Sequence, residues 1–407
     1  MTSQLQTQNS WRDLLRRQSI ANVKYWLAQI EADPQPAILI AKEYENLLRA
    51  LESVLKNTDD LPLAYALIQT LHATVVDFAD WDRWLAYLQK AQTLSKEAGD
   101  LSKIANLSVQ IGEVAFRMGL ANEAEASFKY GAETYQALDQ QANYARTLSK
   151  LGILYDLQGN ISNGILLCQK ALAIAKEIGD DWVIAEAYLN LSSIYFRARD
   201  WQASLTAVQT ARNYFLKLQR SKEATKTLLT IIAISSEMGD WKQVEALSKS
   251  LMEDLIISED IRTISQLKNN LGVAAYGQEN FSRAEAFWQE ALTLHSQIQE
   301  PLELASLYNN LGMVYTKLNE WDTAEEMLQQ AIAAYKSIGD TYHWANALDN
   351  LADLYESQGK STDYFKTIRN AINGLQFIKD TPHAHELLNK MQNRILNSPF
   401  SPKQPSN

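Results

Sequence analysis

Residues 261–340 contain the same forty-residue pattern twice, and this repetition constrains the fold more than any other feature of the sequence. Asn269-Asn270-Leu271-Gly272 in the first copy aligns without a gap on Asn309-Asn310-Leu311-Gly312 in the second. Phe281 likewise aligns on Trp321. A fixed period of this length is typical of supersecondary units that stack on one another. The chain is therefore predicted to form an elongated repeat array rather than a set of globular domains.

The same forty-residue register extends over residues 61–380 and predicts eight copies, the first starting at Leu61. Three boundaries between copies read Gly99-Asp100, Gly179-Asp180 and Gly339-Asp340. Glycine suits the left-handed residue after a helix, and aspartate suits the cap before the next one. Further glycines recur in the middle of the copies. Each copy is thus predicted to form two antiparallel helices, and the fold class is all-α.

The two helices of a copy are predicted to pack closely. Glycine inside a helix costs about 1 kcal/mol relative to alanine, which is offset only where a neighbouring helix approaches closely. The second helices also carry small residues, at places 24 and 31 of the copy, so small residues are predicted to face each other. The twelfth place holds Gly112, Gly152, Ser192, Gly272, Gly312 and Ala352.

The fifth copy, residues 221–260, departs from this pattern because it carries Ile232, Val244 and Leu251 where other copies have small residues. Three larger side chains do not fit the same closely packed interface. We therefore expect the two helices of this copy to stand further apart, and the curvature of the array to change there.

The segments outside the repeats are predicted from their apolar spacing. Residues 1–10 are predicted to be disordered, and residues 11–60 to form a divergent helical hairpin that caps the first repeat. Residues 381–397 are predicted to form a C-terminal capping helix, because Thr381-Pro382 is a helix-start signal. The proline-rich residues 398–407 are predicted to be disordered.

Composition limits the partners and the compartment. The net charge of −10 disfavours binding to nucleic acid or to an anionic lipid surface. The single cysteine, Cys168, excludes an internal disulfide, so the cytoplasm is the expected location. No apolar run is long enough to cross a bilayer, and no membrane insertion is predicted. Residues 1–17 contain one acid and three arginines, which leaves an organelle-targeting segment open as an alternative. The oligomeric state is left open.

The repeated positions resemble those of the tetratricopeptide repeat over residues 61–380. These positions are the small residue at place twelve, alanines at places 24 and 31, and a tyrosine at place fifteen, found as Tyr155, Tyr195, Tyr315 and Tyr355. The forty-residue period is similar to that of kinesin light chains and spindle-orientation adaptors. The resemblance implies a right-handed α-solenoid whose first helices line a concave groove. It also implies a protein or peptide partner held in that groove.

The resemblance places groove residues on either side of the small residue. The recurrent asparagines could form a ladder that pairs with the backbone of an extended peptide, because an amide both donates and accepts. The alternative is that asparagine is only a tolerated polar residue on an exposed face, and that the apolar candidates belong to the core. The polar candidates are Lys150, Asn190, Asn269, Asn270, Asn309, Asn310 and Asn350. The apolar candidates are Leu189, Leu229, Val273, Met313, Phe196 and Tyr276.

Charge is distributed unevenly along the predicted groove. Arg146 and Lys150 lie towards its start, whereas Asp349 and Asp353 lie towards its end. Such a gradient could orient a bound peptide. The alternative is an ordinary solvated helix face.

No catalytic arrangement is evident. His72, His295 and His343 lie in separate copies, and no triad or phosphate-binding loop accompanies them. His383 and His385 are two residues apart on a predicted helix, so they point away from each other and do not indicate a metal site. Neither an enzyme activity, nor a metal, nor a cofactor is predicted.

The predicted function is a non-enzymatic scaffold or assembly factor that binds a peptide segment of a partner protein. A regulatory receptor for a short signalling peptide is the first alternative. Rap-type regulators have this role, but they carry three helices before their repeats, whereas only two are predicted here. A scaffolding subunit of an enzyme complex is the second alternative.

Overall fold

The structure is a computed structural model that describes residues 2–34, 36–76, 80–258, 261–295, 301–376 and 382–400. Every regular element in these ranges is a helix, which confirms the predicted all-α class of helical repeats. The chain divides into two compact units, the first ending at Leu154 and the second beginning at Tyr155.

Twenty α-helices follow one another within these described ranges. The helices before the repeats are α1 (Thr2–Ala32), α2 (Pro36–Lys42) and α3 (Tyr44–Val54). The repeat helices are α4 (Leu61–Val75), α5 (Trp81–Glu97), α6 (Leu101–Arg117), α7 (Ala121–Ala137), α8 (Gln141–Leu157), α9 (Ile161–Ile178), α10 (Asp181–Arg197), α11 (Trp201–Lys217), α12 (Ser221–Glu237), α13 (Trp241–Ser258), α14 (Ile261–Gly277), α15 (Phe281–His295), α16 (Pro301–Leu318), α17 (Trp321–Ser337), α18 (Thr341–Ser357) and α19 (Ser361–Leu375). The last helix is α20 (Pro382–Leu396).

The N-terminal segment differs from its prediction in two ways. The first helix begins at Thr2, within the segment predicted to be disordered. Residues 11–60 contain three α-helices rather than two, because the backbone leaves helical geometry at Glu43, where ψ is 12°, and a short 3₁₀ helix, Thr58–Asp60, follows them. The backbone hydrogen bonds on both sides of Glu43 are kept. The bend lets Ile40 and Leu47 enter the same core, and no proline or glycine signals it in the sequence.

The turns of the repeats follow one rule. Where the structure describes places 19 and 39 of the copies, the residue has positive φ and lies within two residues of the end of a helix. The glycines there are Gly99, Gly119, Gly159, Gly179, Gly239, Gly339 and Gly359. The other residues there are Asp139, Arg199, Gln219, Glu279 and Asn319, with φ between 56° and 62°. The predicted aspartate caps are also confirmed, because Asp100, Asp180 and Asp340 accept hydrogen bonds from the first turns that follow them.

Glycine at these turns is expected to stabilise the protein. A non-glycine residue in the left-handed region costs roughly 1–2 kcal/mol, and the flexibility of glycine in the unfolded chain offsets part of the gain. We expect Gln219→Gly and Glu279→Gly each to raise the free energy of unfolding by about 0.5–1 kcal/mol. Urea denaturation measures this. Gly239→Ala is the matched control and should lower stability, so a loss of stability in the glycine variants would contradict the prediction.

The glycines at place twelve face large side chains. A Cβ atom on Gly112 would lie 2.7 Å from the Phe128 ring, and one on Gly272 would lie 2.4 Å from Trp288 Nε1. Small residues do face each other in the α10/α11 hairpin, where the Ser192 and Ser204 hydroxyls are 3.0 Å apart. The prediction that small faces small was therefore wrong for these glycines, because their missing side chains make room for an aromatic ring.

The α12/α13 hairpin buries the three larger side chains that distinguish the fifth copy. Ile232, Val244 and Leu251 all lie in one buried cluster with residues of α14. The wider spacing of the two helices and the change in curvature at this hairpin stay predictions.

The C-terminal helix α20 stands where the first helix of a further repeat would begin, and it packs on α18 and α19 through Leu387 and Met391. The chain continues past it in a turn that places the Phe400 ring 5.7 Å from the Tyr364 ring. Residues 398–400 therefore have a packed structure, contrary to the predicted disorder of 398–407. Residues 401–407 lie outside the described residues.

Candidate peptide-binding surface

The predicted asparagines of the second unit form a regular row of hydrogen bonds between successive first helices. Asn310 Nδ2 donates to Asn269 Oδ1 at 3.0 Å, and Asn350 Nδ2 donates to Asn309 Oδ1 at 2.9 Å. Asn270 Nδ2 donates to the Leu229 carbonyl at 3.3 Å. In each bond, place ten of one helix donates to place nine of the preceding first helix. We call Asn269, Asn270, Asn309, Asn310 and Asn350 the amide row.

These bonds orient the amides without using all of their hydrogen-bonding capacity. An asparagine amide has two N–H donors and an oxygen with two acceptor positions. The bond from Asn310 to Asn269 uses one donor of the first and one acceptor position of the second. Four of the five amides are partly exposed, and Asn309 is buried. The row therefore presents oriented polar groups whose rotamers are already held by the protein.

The apolar candidates differ in how far their side chains are exposed to solvent. Val273 is exposed by 41%. Leu229 is buried in the core between α12 and α14, so its prediction as a groove residue was wrong. Leu189 and Met313 are partly buried, with Met313 Sδ 3.7 Å from Asn309 Nδ2. Phe196 packs edge-on against Trp201 with the ring centroids 5.1 Å apart. The predicted apolar strip is thus not continuous.

Tyr276, on α14, contacts α15 and is influenced by α18. Its ring packs against Phe281 and Trp288 at the start and middle of α15. Burial raises the pKa of its hydroxyl, and the charge of Asp353 on α18 raises it further. Asp353 is therefore close enough to Tyr276 to act on it electrostatically, although the two residues lie two hairpins apart in the chain.

The acidic end of the predicted groove is paired with two basic side chains of α20. Asp349 is only 1% exposed and forms ion pairs with Arg394 and, at 3.0 Å, with Lys390. Arg394 also pairs with Asp353 and, at 3.2 Å, with Glu356. Lys390 donates to Asp349 as the asparagines of the amide row do, from the position equivalent to place ten on one helix to place nine on the preceding first helix. Asp349 is therefore not available to orient a peptide, which corrects the prediction drawn from its charge.

The first unit has its own polar network on the first helices. Gln69 and Gln110 exchange hydrogen bonds of 3.1 and 3.2 Å, again between places nine and ten. His72 Nε2 lies 2.6 Å from Glu113 Oε2, and Lys150 Nζ lies 2.5 Å from Glu113 Oε1. The Lys150 charge is therefore already paired within this unit.

Trp84 fixes the tautomer of His72. Its indole Nε1–H donates to His72 Nδ1 at 3.1 Å, and an indole nitrogen can only donate. In the neutral ring, the proton of His72 therefore lies on Nε2, facing the Glu113 carboxylate. His72 occupies place twelve of the first copy, where most other copies have a small residue. Repeat alignment alone did not reveal this network, but the 41-residue spacing of His72 and Glu113 is the signal that could have found it.

The remaining candidates are Arg146 and Asn190. Arg146 is partly buried on α8, and its charge acts on Tyr135 of α7. Asn190 is partly buried at place ten of α10. Each thus stands on a first helix, as the repeat register predicts.

Glu113 is expected to make the first unit sensitive to acid. Burial disfavours its charged form, but the His72 hydrogen bond and the Lys150 charge outweigh this and lower its pKa to about 2. A carboxylate with a depressed pKa stabilises the fold above its unfolded-state pKa, and this stabilisation is lost as the pH falls towards the folded value. We expect a loss of roughly 3 kcal/mol between about pH 4.5 and pH 2.

Glu113→Gln tests this expectation by urea denaturation at several pH values. The variant should be less stable than the wild type at pH 7 and should lose less stability between pH 4.5 and pH 2. Glu133→Gln, at an exposed position on α7, is the control and should keep the wild-type profile. An unchanged acid profile in Glu113→Gln would show that this network is not the source of the sensitivity.

Comparison with known families agrees with the helix register and the place-twelve glycines. A family model described as tetratricopeptide repeat matches residues 263–337 and 303–363, which include α15, α16, α17 and α18 and most of α14. The chain contains tetratricopeptide repeats. A comparison with curated proteins by sequence found no match.

Several solved tetratricopeptide-repeat structures are similar to this chain. A Rap protein complexed with competence and sporulation factor has a TM-score of 0.55 at 12% identity, covering 80% of this chain and 99% of the Rap chain. NprR in complex with its cognate peptide NprX has a TM-score of 0.52 at 16% identity, covering 80% and 97%. At these identities the likeness establishes the fold.

A third similar structure is longer than this chain. It is a signal-transduction ATPase with numerous domains from Pyrococcus horikoshii, which has a tetratricopeptide repeat sensor. The TM-score is 0.54 at 14% identity, and the match covers 90% of this chain. The chain spans about half of that protein, because only 54% of it is covered.

Two further findings concern membranes and metals. Within the described ranges, none of the helices combines the length and the apolar character needed to cross a bilayer. In the same part of the chain, no three His, Cys, Asp or Glu side chains are grouped as metal ligands would be.

Proposed function

We propose that the protein is a non-enzymatic interaction scaffold that holds an extended segment of a partner protein along the amide row. The observation that carries this proposal is the hydrogen bonding of Asn310 to Asn269 and of Asn350 to Asn309, which orients amides on successive helices. Oriented amides can pair with peptide backbone whatever its side chains are. Because the rotamers are already held, binding loses less side-chain entropy than it would with mobile amides.

The net charge of −10 supports a protein partner rather than a nucleic acid, since a phosphate backbone would be repelled. The exposed Val273 beside the row offers apolar contact next to the polar groups. The cytoplasm stays the expected compartment, because the single cysteine Cys168 is buried and the chain has no need of an oxidising environment.

Peptide selection followed by affinity measurement tests the scaffold. Dodecamer peptides selected from a random displayed library would be titrated against the wild type and against Asn310→Ala/Asn350→Ala by fluorescence anisotropy. Two lost hydrogen bonds of about 1 kcal/mol each are expected to weaken binding roughly thirtyfold.

Gln329→Ala/Asn370→Ala is the matched control, because it removes two amides from exposed positions on the second helices α17 and α19. This variant should bind within about twofold of the wild type. Equal losses in both variants, or none in the first, would contradict a role for the amide row.

A peptide receptor is the second candidate. The sequence predicted only two N-terminal helices, which disfavoured a receptor of the Rap type. The structure has three α-helices before the repeats, α1, α2 and α3. The similar Rap structure contains a competence and sporulation factor, and the similar NprR structure contains its cognate peptide, which supports the receptor as a candidate. A receptor should bind a peptide shorter than about ten residues and change its compaction in small-angle scattering, since a ligand shifts the populated state. Binding without a change in compaction favours the scaffold. The role of a scaffolding subunit in an enzyme complex is a form of the first proposal.

A further inference from the structure

The first helix, α1, is longer than the core that supports it. It contains 31 residues, whereas the repeat helices contain 15–18. At 1.5 Å per residue, α1 is about 46 Å long. Its second half packs on the core of the first unit through the buried side chains of Val23 and Ile30. In contrast, every described side chain from Trp11 to Gln18 is exposed. The first half of α1 therefore extends beyond the packed core.

Two ion pairs of one arginine fix the orientation of this extending segment. Arg16 Nε donates to both carboxylate oxygens of Asp60 at 3.0 Å, and Arg16 Nη2 lies 3.3 Å from Asp59 Oδ2. Asp60 is itself buried, so the protein holds the arginine on one side of the helix. The side chains on the opposite side of α1 consequently face solvent in a defined direction.

That outer side of α1 carries an apolar stripe. Trp11, Leu15 and Tyr25 are each more than half exposed, and Leu14 is exposed by 44%. The four positions fall within about 100° of the helix circumference, because each residue turns the helix by about 100°. Exposed apolar side chains on a monomer are normally scattered, and a contiguous group marks an interaction surface. The stripe thus indicates a surface that another body covers.

The charges beside the stripe are mainly basic. Residues 11–25 contain four basic residues and one acid, Asp13, although the whole chain has a net charge of −10. Arg17 and Lys24 are seven residues apart, so they lie on the same flank of the stripe, next to Leu14. Both are exposed, and neither forms an ion pair with any residue that the structure describes. The body that fits this side of α1 therefore combines negative charge with an apolar interior.

We propose that α1 lays this stripe on an anionic lipid surface, with Arg17 and Lys24 at the headgroups. The helix lies in the plane of the interface and does not cross the bilayer, as amphipathic helices with basic flanks do. The rings of Trp11 and Tyr25 suit this position, because each has an apolar body and a polar group that stays hydrated. The surface potential falls off within about 10 Å, so the acidic residues elsewhere in the chain oppose binding only weakly.

The size of the stripe favours a lipid surface over a second copy or a partner protein. With about 200 Å² for a complete side chain of this size, the four side chains expose roughly 450 Å². A stable protein interface buries about 800 Å² on each partner and needs a complementary shape. A bilayer needs no such shape, and each cation near its anionic headgroups adds to the attraction. This surface lies in the first unit, so the inference goes beyond the proposed scaffold and does not rest on it.

Co-sedimentation of the full chain with lipid vesicles tests the proposal. Vesicles of phosphatidylcholine and phosphatidylserine are compared with vesicles of phosphatidylcholine alone. We expect the affinity for the anionic vesicles to be at least about tenfold higher, and to fall as salt is added. A wild type that does not bind the anionic vesicles, or that binds both kinds equally, would overturn the proposal.

Removal of the apolar side chains should abolish most of the binding. Trp11→Ser/Leu15→Ser is expected to weaken binding to the anionic vesicles by at least about tenfold. Leu101→Ser/Tyr130→Ser is the matched control, because it removes an exposed leucine and an exposed ring from other helices of the same unit. The control should bind within about twofold of the wild type. Equal losses in the two variants would contradict a role for the stripe.

Removal of the two cations should act on the anionic vesicles only. Arg17→Gln/Lys24→Gln is expected to weaken this binding about thirtyfold and to leave the affinity for neutral vesicles unchanged. Lys90→Gln/Lys96→Gln removes the same number of charges from exposed positions on α5 and should leave binding within about threefold of the wild type. The same loss in both variants would mean that only the net charge matters, and would overturn the assignment to α1.

A fluorescent label shows which surface meets the lipid. The only cysteine of the chain, Cys168, is buried, so Leu14→Cys can be labelled selectively with an environment-sensitive dye. Its emission should shift to the blue on anionic vesicles, whereas a dye on Ala86→Cys, at an exposed position of α5, should not respond. A shift at Ala86→Cys alone would mean that another surface adsorbs, and would overturn the proposal.

Sedimentation velocity tests the other occupants of the stripe. A dimer that Trp11→Ser/Leu15→Ser dissociates, with vesicle binding unchanged, would show that a second copy covers the stripe and would overturn the lipid assignment. A monomeric wild type that loses vesicle binding in this variant supports it. The amide row is intact in every variant used here, so none of these results changes the standing of the scaffold proposal.

Discussion

Replacement of Arg394 by methionine is expected to lower the free energy of unfolding of the second unit by about 3 kcal/mol. Arg394 is the guanidinium on α20 that pairs with the buried Asp349 and also with Asp353 and Glu356. Removing one partner of a buried ion pair is costly because the remaining charge stays desolvated, typically by about 3–5 kcal/mol. Lys390 still contacts Asp349, which places the expected loss at the lower end. Urea denaturation with hydrogen exchange of α18 and α20 measures it.

A second substitution separates lost charge pairing from lost packing. In the Arg394→Met background, Asp349→Asn should recover most of the stability, because the neutral amide needs no counter-ion. Lys390→Met is the control. Its side chain is 60% exposed, so it should cost less than about 1 kcal/mol. The Arg394 guanidinium carbon also lies 5.8 Å from the centre of the Tyr364 ring. Failure of Asp349→Asn to restore stability would show that Arg394 acts through this packing rather than through its ion pairs.

Gly272→Ala is expected to destabilise the α14/α15 hairpin by about 2 kcal/mol, although glycine to alanine normally stabilises a helix by up to about 1 kcal/mol. The reason is the 2.4 Å separation between the added Cβ and Trp288 Nε1, which forces a buried ring to move. Gly277→Ala in the same helix is the matched control. Its Cβ would lie 3.3 Å from the far end of the Trp241 ring, so this variant should be neutral or stabilised. Thermal denaturation compares the two.

The last repeat suggests how to rescue Gly272→Ala. There, Ala352 and Ile368 occupy places twelve and 28, the places of Gly272 and Trp288, and both are buried. Adding Trp288→Ile should therefore remove the clash and recover part of the stability lost by Gly272→Ala. A double variant less stable than the sum of its two single changes would contradict this explanation.

The repeat period accounts for most of what the sequence could predict. Because every copy has the same length, the starts of the helices and the left-handed turns follow from one aligned pair of copies. The bend at Glu43 lies outside the repeats and has no composition signal, so periodicity could not locate it. The position of α20 against Asp349 was missed for the same reason, and so were the ion pairs that Arg394 and Lys390 make with the acidic cluster.

The candidate surface was predictable in its residues but not in its bonding. The recurrence of asparagine at place ten identified Asn270, Asn310 and Asn350. The hydrogen bond from Asn310 to Asn269 depends on how far successive first helices are shifted along one another. A single sequence does not reveal that shift. Leu229 was misplaced because its side chain joins a buried cluster formed by α12, α13 and α14, and the repeat register alone does not show this cluster.

The offset of one residue between donor and acceptor makes the amide row independent of how many hairpins the chain contains. Asn310 and Asn269 are separated by one period plus one residue, and so are Asn350 and Asn309. Duplication of a whole forty-residue unit would add one more bonded pair and leave the others in register. Gain or loss of a single residue within a helix would instead misalign every pair that crosses it. Gene duplication is thus a simple route by which a chain of this kind could come to hold a longer ligand.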